Sequence, residues 1–305
     1  MRRSLAIAVI CVMAVAPVFA LHPPPPPPAT AAGDQPAQHL STFRWQHDED
    51  WFGGFSGIEV DADGHRFYAV TDRGYLVRGQ LNRASDRLSG VEVTAARPLV
   101  DDKGRVREFP HTDAEGLALD PQGRLNVSFE HAHRVLRYDT WQSPAAWPSY
   151  TRSWRALHQN RGLETLFVDA DGVLYAVPEG VSRGASEALV YRRKPGQKWD
   201  QPFTLELEGD FVPVGGDIGP DGFFYLLERD FFRLKFRSRV RRMALTPRGF
   251  GASETLLETP LRRHGNVEGL AVWEDAAGRT RLTMISDDNF LPVLRTDIIE
   301  YVVND

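Results

Sequence analysis

The stretch EGLALDPQGRLNVSFE, residues 115–130, decides the fold. Within it an apolar run leads into a Gln-Gly turn at residues 122–123, and a second apolar run ends in an acid. Two short apolar runs joined by a glycine turn favour a β-hairpin, because glycine supplies the positive φ that such turns require. The pattern returns at residues 164–179 as ETLFVDADGVLYAVPE. The sequence therefore predicts repeated β-hairpin units.

Five such units occur along the chain. They occupy residues 56–72, 115–130, 164–179, 214–228 and 268–287. Each unit closes with an acid, and these closing acids are Asp72, Glu130, Glu179, Glu228 and Asp287. The intervals between them are similar, although the first and the last are longer than the two in the middle. A period near fifty residues is typical of four-stranded propeller blades. We predict an all-β fold, a five-bladed β-propeller, with six blades as the alternative because the longer intervals leave room for irregular strands.

The two ends of the predicted domain, residues 40–305, are expected to complete one blade together. The segment from Leu40 to the first closing acid and the segment from the last closing acid to the C-terminus add up to one internal period. A strand predicted at residues 298–303 would then pair with the start of the domain. This closure predicts a blade built from N- and C-terminal strands.

The first residues are typical of an export signal. Arg2 and Arg3 precede an apolar stretch that ends near Ala20, so residues 1–20 are predicted to be a cleaved signal peptide, with twin-arginine export as an open alternative. The apolar stretch is shorter than the about 20 residues that span a membrane. Residues 21–39 are proline-rich and predict an extended linker. We expect a periplasmic or secreted protein without membrane insertion.

Composition excludes several classes of function. The chain carries 36 Lys and Arg against 41 Asp and Glu, and this weakly acidic balance disfavours nucleic acid as a partner. Cys11, the only cysteine, lies in the predicted signal, so the mature chain has no thiol nucleophile. No glycine-rich phosphate loop occurs. We expect a monomer whose substrate is a small molecule.

The residue that begins each unit, here called the first position, and the acid that closes it, the second position, should meet at one mouth of the propeller channel. This is expected because the first two strands of a blade run antiparallel. Neighbouring carboxylates there repel by about 4 kcal/mol per pair at an effective dielectric of 20, which a cation would relieve. Oxygen ligands without cysteine or paired histidines favour Ca²⁺. Asp217 is a possible substitute for Val214 at the first position of the fourth unit. The predicted metal ligands are Ser56, Asp72, Glu115, Glu164, Glu268 and Asp287. Turn capping or pairing with arginine is the open alternative for these acids.

Basic residues follow several closing acids directly and can hold an anion. A closing acid left free of metal can act as the base that activates water, while a neighbouring arginine or histidine binds a phosphate oxygen. The candidate catalytic residues are Glu130, His131, Glu179, Glu228 and Arg229. Residues 231–242 alternate apolar and basic side chains, which predicts a strand with a solvated basic face.

A set of short motifs resembles the phytase-like domain of exported bacterial proteins, which is often described by an esterase-like activity. The motifs are FGGFSGI at residues 52–58 with TDR at 71–73, DAEGL at 113–117, GLE at 162–164, LER at 227–229, and NVEGL at 266–270 with SDD at 286–288. The resemblance runs from about Phe43 to Tyr301. It implies a propeller with several acidic residues and a phosphoesterase or esterase activity. The Ser-Glu-Glu-Glu ring is also similar, more distantly, to the calcium site of five-bladed apyrases.

Three functions follow as hypotheses. The first is a calcium-dependent hydrolase of a phosphoric ester. The second is a non-catalytic propeller, stabilised by calcium, that binds an envelope ligand or protein. The third is a lactonase-type hydrolase of a carboxylic ester.

Overall fold

The computed structural model describes residues 35–146, 148–180 and 185–304. The predicted signal peptide and most of the predicted linker lie outside these residues. Apart from one short 3-10 helix at Arg152–Ala156, the regular structure described is all β. No helix in the described part of the chain has the length and apolarity needed to cross a membrane.

The strands form five separate antiparallel sheets, which are the blades of a propeller. The first blade comprises β2 (Phe55–Val60), β3 (Arg66–Thr71), β4 (Tyr75–Ala84) and β5 (Arg87–Pro98). The second comprises β6 (Ala114–Leu119), β7 (Leu125–Phe129) and β8 (Arg134–Tyr138), and the third β9 (Thr165–Val168), β10 (Leu174–Val177), β11 (Glu187–Arg193) and β12 (Asp200–Glu206). The fourth comprises β13 (Val212–Ile218), β14 (Phe223–Phe232), β15 (Lys235–Thr246) and β16 (Gly249–Glu258). The fifth comprises β17 (Asn266–Glu274), β18 (Thr280–Asp287), β19 (Asp297–Val303) and β1 (Ala37–Arg44).

Five blades close the ring, and the predicted fold class is confirmed. The innermost strands β2, β6, β9, β13 and β17 each contact the next, and β17 contacts β2. The predicted blade of mixed termini is present, since β1 pairs with β19 from Ala37 opposite Val303 to Arg44 opposite Asp297. The strand β1 begins at Ala37, so the end of the predicted linker, from Ala37 to His39, belongs to this sheet.

Glycine turns join the first two strands of each blade, as the repeat predicts. The glycines Gly64, Gly123, Gly172, Gly222 and Gly278 all have φ between +74° and +79°. An aspartate three positions before the glycine fixes four of these turns by accepting backbone N–H bonds; Asp120, for example, accepts from Gln122 and Arg124 at 3.0 and 2.9 Å. Such aspartate-capped turns hold the two inner strands of a blade in register.

The hydrophobic core is divided into five clusters, each lying between two neighbouring blades. Between the fifth and first blades, for example, Trp45 stacks on Phe55 with ring centroids 4.8 Å apart. On the axis the inner strands approach closely; a Cβ on Gly116 would lie 2.7 Å from the carbonyl oxygen of Glu164. This tight ring sets the spacing of every side chain that leaves it.

Candidate functional site

A β-bulge begins the inner strand of four blades. The bulged residue is the first position of the repeat, the residue that begins each unit. The strand register shifts between Phe55 and Gly57, Ala114 and Leu117, Pro213 and Gly215, and Val267 and Gly269. Bulges re-aim side chains at the rims of closed sheets. They bring Ser56, Glu115 and Glu268 to one mouth of the channel, and Glu164, directly before β9, takes the same place in the third blade. Val214 holds this position in the fourth blade and packs in the hydrophobic core.

The second position is an acid in four blades and an arginine in the fourth, so the interpretation of five closing acids is wrong. Before the bulge, Phe55 pairs with Thr71 and Val267 with Ser286, and the next residues are Asp72 and Asp287. In the fourth blade Pro213 pairs with Glu228. The residue equivalent to Asp72, Glu130, Glu179 and Asp287 is therefore Arg229. A shift of one residue turns a strand side chain to the opposite face.

Glu228 accordingly lies away from the mouth. Its carboxylate is fully buried and accepts hydrogen bonds from Arg239 Nε at 2.8 Å and from Arg241 Nε and Nη2 at 2.8 Å each. Arg241 also bonds Glu208 at 2.7 Å. We assign these residues to a structural ion cluster within the fourth blade, and the structure does not bring Glu228 to the other candidate catalytic residues.

Three carboxylates meet at the mouth between the second and third blades. One oxygen from each of Glu115, Glu130 and Glu164 lies within 4.8 Å of the other two. The three residues are only 9%, 6% and 7% exposed. Among the described residues, neither Glu115 nor Glu164 has an arginine or lysine in an ion pair. This group, the carboxylate triad, joins two predicted metal ligands to Glu130, which the sequence had suggested only as a base.

The carboxylate triad favours protons when no cation is present. Burial raises the pKa of Glu130 to about 7. Burial also raises the pKa of Glu115 well above its ordinary value, and the charges of Glu164 and Asp113 raise it further. The pKa of Glu164 is raised in the same way, by burial and then by Glu179 and Glu268. A bound cation would replace these protons and relieve the repulsion.

A histidine and an aspartate border the carboxylate triad. His131 Nε2 lies 3.0 Å from Asp113 Oδ2 and 4.0 Å from Glu130 Oε2. Atoms of Asp113, Glu130 and His131 also lie within 4.8 Å of one another. Asp113 was not among the predicted site residues, although its motif carried the family resemblance; no spacing in the sequence distinguished it.

Arg229 neutralises the acids on the side of the ring away from the carboxylate triad, where the ring is the set of first- and second-position side chains at the channel mouth. Its guanidinium donates to Glu179 Oε1 at 2.6 Å, to Asn266 Oδ1 at 2.6 Å, and to Glu268 Oε1. Burial alone would lower the pKa of Arg229, but the charges of Glu268, Glu179 and Glu164 raise it. Glu268, a predicted metal ligand, and Glu179, a predicted base, are thus partners of an arginine.

The remaining predicted ligands lie next to this network. Asn266 Nδ2 donates to Asp287 Oδ2 at 3.3 Å, and burial with the charge of Glu268 raises the pKa of Asp287 to about 9. Burial raises the pKa of Asp72 to about 7, with Asp113 and Glu268 adding to the effect. Ser56, Glu164 and Glu268 line an axial cavity of about 10 Å³, which is close to the smallest volume that holds one water molecule.

The carboxylate triad can hold a metal ion. Two oxygens that bind one Ca²⁺ ion, each about 2.4 Å from it, are at most about 4.8 Å apart, and the three oxygens of the triad lie within that limit of one another. The triad supplies carboxylate oxygens alone, as hard cations prefer, whereas the neighbouring group of Asp113, Glu130 and His131 includes a nitrogen and suits a transition metal equally well.

A second buried acid pair lies deeper along the inner strands. Asp217, which was suggested as a substitute ligand, is not at the mouth: its Oδ2 accepts the N–H of Val272 at 2.7 Å. Glu59 Oε1 accepts the N–H of Leu119 at 3.0 Å. Burial raises the pKa of Asp217 to about 7, and burial with the charge of Asp217 raises that of Glu59.

This pair predicts a pH-dependent stability. A carboxyl whose folded pKa exceeds its unfolded value stabilises the fold when protonated, and that stability is lost as pH rises through the folded value. Glu59→Gln should therefore raise the melting temperature relative to wild type at pH 8 by about 3 °C, with little change at pH 5. Scanning calorimetry at both pH values checks this, with exposed Glu92→Gln as control. An equal difference at both pH values would contradict it.

A cavity of about 610 Å³ opens beside the Arg229 side of the ring. Its lining includes the charged residues Glu179, Arg229 and Glu268 and the aromatic residues Phe231 and Phe236. Its volume is typical of a small-molecule site. The cavity places a ligand in contact with the charged ring and with aromatic side chains at once.

Comparison with solved structures finds similar chains at low sequence identity. They include a PQQ-bound aldose sugar dehydrogenase from Streptomyces coelicolor, with 12% identity, 87% of this chain and 97% of that chain covered, and a TM-score of 0.48. An endo-arabinase from Bacteroides thetaiotaomicron has 14% identity, 83% and 94% coverage and a TM-score of 0.48. A luciferin-regenerating enzyme has 11% identity, 87% and 95% coverage and a TM-score of 0.46. No curated protein matches the sequence.

A family described as phytase-like, with esterase-like activity of phytase, matches residues 50–290. The match contains all five inner strands and every residue of the ring described above. It agrees with the motifs that first suggested the resemblance. The chain therefore belongs to the phytase-like family.

Proposed function

We propose that this protein is an exported, metal-dependent hydrolase of a phosphoric ester, with Ca²⁺ bound by Glu115, Glu130 and Glu164. The observation that carries the proposal is the carboxylate triad: three buried carboxylates with oxygens within 4.8 Å of one another and no arginine or lysine paired with Glu115 or Glu164 in the described chain. The family supports an ester as the substrate. The basic, apolar N-terminus supports export.

The residues around the carboxylate triad suit hydrolysis. A bound cation would polarise the phosphoryl oxygen and lower the pKa of a water molecule. His131, whose Nε2 lies 3.0 Å from Asp113, would take the proton of that water. The water oxygen bonds to phosphorus, the ester P–O bond breaks, and the proton passes to the departing alkoxide. Arg229 would contact the phosphoryl group from the other side of the ring.

The test is turnover by the mature chain after metal removal. With calcium restored, wild type should hydrolyse p-nitrophenyl phosphate or bis(p-nitrophenyl) phosphate, and Glu115→Gln should lose at least about 100-fold of kcat/KM, as expected when transition-state charge stabilisation is removed. Nitrophenyl acetate tests the carboxylic-ester alternative. Turnover that is indifferent to calcium and to Glu115→Gln would contradict the proposal.

A binding-only propeller is the second candidate, because all three carboxylates of the triad are buried. A cation enclosed by protein oxygens has no open position for substrate and acts as a structural ion. Calcium would then raise thermal stability without any turnover on the three substrates.

A further inference from the structure

The turn of the hairpin between β14 and β15 has an unfavourable backbone conformation. Phe232 pairs with Lys235, so the turn consists of Arg233 and Leu234 alone, with φ values of +48° and +61°. Both residues are in the left-handed region, which asparagine and glycine tolerate far better than arginine and leucine. Strained backbone of this kind clusters at active sites and ligand clamps.

This hairpin holds aromatic surface over the 610 Å³ cavity. Phe231 is 55% exposed, and its ring lies 4.8 Å from that of Phe236. Phe236 in turn lies 6.0 Å from the Arg229 guanidinium carbon. Phe211 and Phe232 line the same cavity. A ligand that reaches the charged ring through this cavity therefore meets aromatic side chains at its other end.

The charges of the cavity restrict its ligand. Glu179, Asp210, Asp230 and Glu268 line it, against Arg161 and Arg229. Two of these acids bind Arg229 and Asp230 binds Arg237 at 2.8 Å, so the lining offers little positive charge to a ligand with many phosphates. Arg161 and Arg229 are the cations of this lining that can hold a single phosphoryl group, and the phenylalanines offer apolar surface to the rest of the ligand.

We propose that the substrates are phosphoric esters of apolar, ring-sized alcohols, and that Phe231 and Phe236 bind the alcohol side. The inference rests on the proposed function in one respect: the ligand is a substrate only if the protein is a hydrolase. The apolar preference itself is a property of the cavity and is measured by binding, without turnover.

Two phosphonates test the preference, because their P–C bond is not hydrolysed. Titration calorimetry of the calcium-loaded mature chain should give an affinity for phenylphosphonate about tenfold above that for methylphosphonate, as burial of one ring face predicts. Phe231→Ala should reduce that ratio to about threefold or less. Leu234→Ala is the matched control: Leu234 is 86% exposed on the same turn but is not part of the cavity lining, and it should leave the ratio unchanged.

The outcomes separate the two proposals. Equal affinities in wild type, no binding of either phosphonate, or an equal loss in Phe231→Ala and Leu234→Ala would overturn the inference. Turnover of phenyl phosphate is followed in parallel. Turnover with an affinity ratio near one would support the hydrolase and contradict the apolar preference. A tenfold affinity ratio without turnover would support the ligand class and contradict the hydrolase.

Discussion

Glu164→Gln should abolish the response of the melting temperature to calcium. Wild type, stripped of metal, should gain about 5 °C or more when calcium reaches 100 times its dissociation constant, because an ion that binds only the folded state stabilises it. Glutamine keeps the size of Glu164 but removes one of three charges that lie within 4.8 Å of each other. We expect the variant to gain less than about 1 °C.

The same variant should be at least as stable as wild type without metal. Burial disfavours the charge of Glu164, and the charges of Glu179, Glu268 and Glu130 repel it further. Removing that charge relieves the repulsion, above all at pH 8, because burial raises the pKa of Glu130 to about 7 and that neighbour is mostly ionised there. Glu92→Gln, on the exposed face of β5, is the control that keeps both the calcium response and the metal-free stability. A full calcium response in Glu164→Gln would contradict the assignment.

Glu228→Gln should have the opposite effect, a large loss of stability with the calcium response kept. Glu228 is fully buried between Arg239 and Arg241, which are 7% and 1% exposed at their side chains. Removing one partner of a buried ion pair costs about 3–5 kcal/mol, because the remaining charges stay buried. The melting temperature should fall by about 10 °C.

The surface pair of Arg242 and Glu254 provides the matched control for that loss. Glu254 is 50% exposed at its side chain and lies 2.8 Å from Arg242 on the same sheet. Exposed pairs contribute about 1 kcal/mol or less, so Glu254→Gln should change the melting temperature by no more than a few degrees. If Glu228→Gln kept its stability but lost the calcium response, Glu228 would belong to the ring instead of Arg229.

These two glutamates, Glu164 and Glu228, show how far the sequence determines the site. The hairpin repeat and its period predicted five blades and the closing blade, because glycine turns and alternating apolar runs are local signals. In the fourth unit the sequence pattern led to Glu228 as the closing acid, because it is the acid that ends the second apolar run. A constant offset would have found Arg229, because Val214 and Arg229 are as far apart along the chain as the first and second positions of the second and third units.

Other contacts had no local signal. The division of the ring into the carboxylate triad and the Arg229 network depends on which blades are neighbours and on the angle at which each bulge turns its side chain. Asn266 bonds Arg229, Glu268 and Asp287, yet in the sequence it is one polar residue before a strand. Asp217 resembled a ring ligand by proximity to Val214, but three positions further along β13 it lies too deep to reach the mouth.

Calcium titration calorimetry at pH 7, in two buffers with different ionisation enthalpies, tests the metal centre most directly. We predict one calcium ion per chain, a measurable release of protons from the carboxylate triad, and loss of binding in both Glu115→Gln and Glu164→Gln. Proton release is expected because burial raises the pKa of Glu130 to about 7, so part of its population is protonated before the ion binds. Absence of calcium binding, or binding that survives both substitutions, would contradict the account.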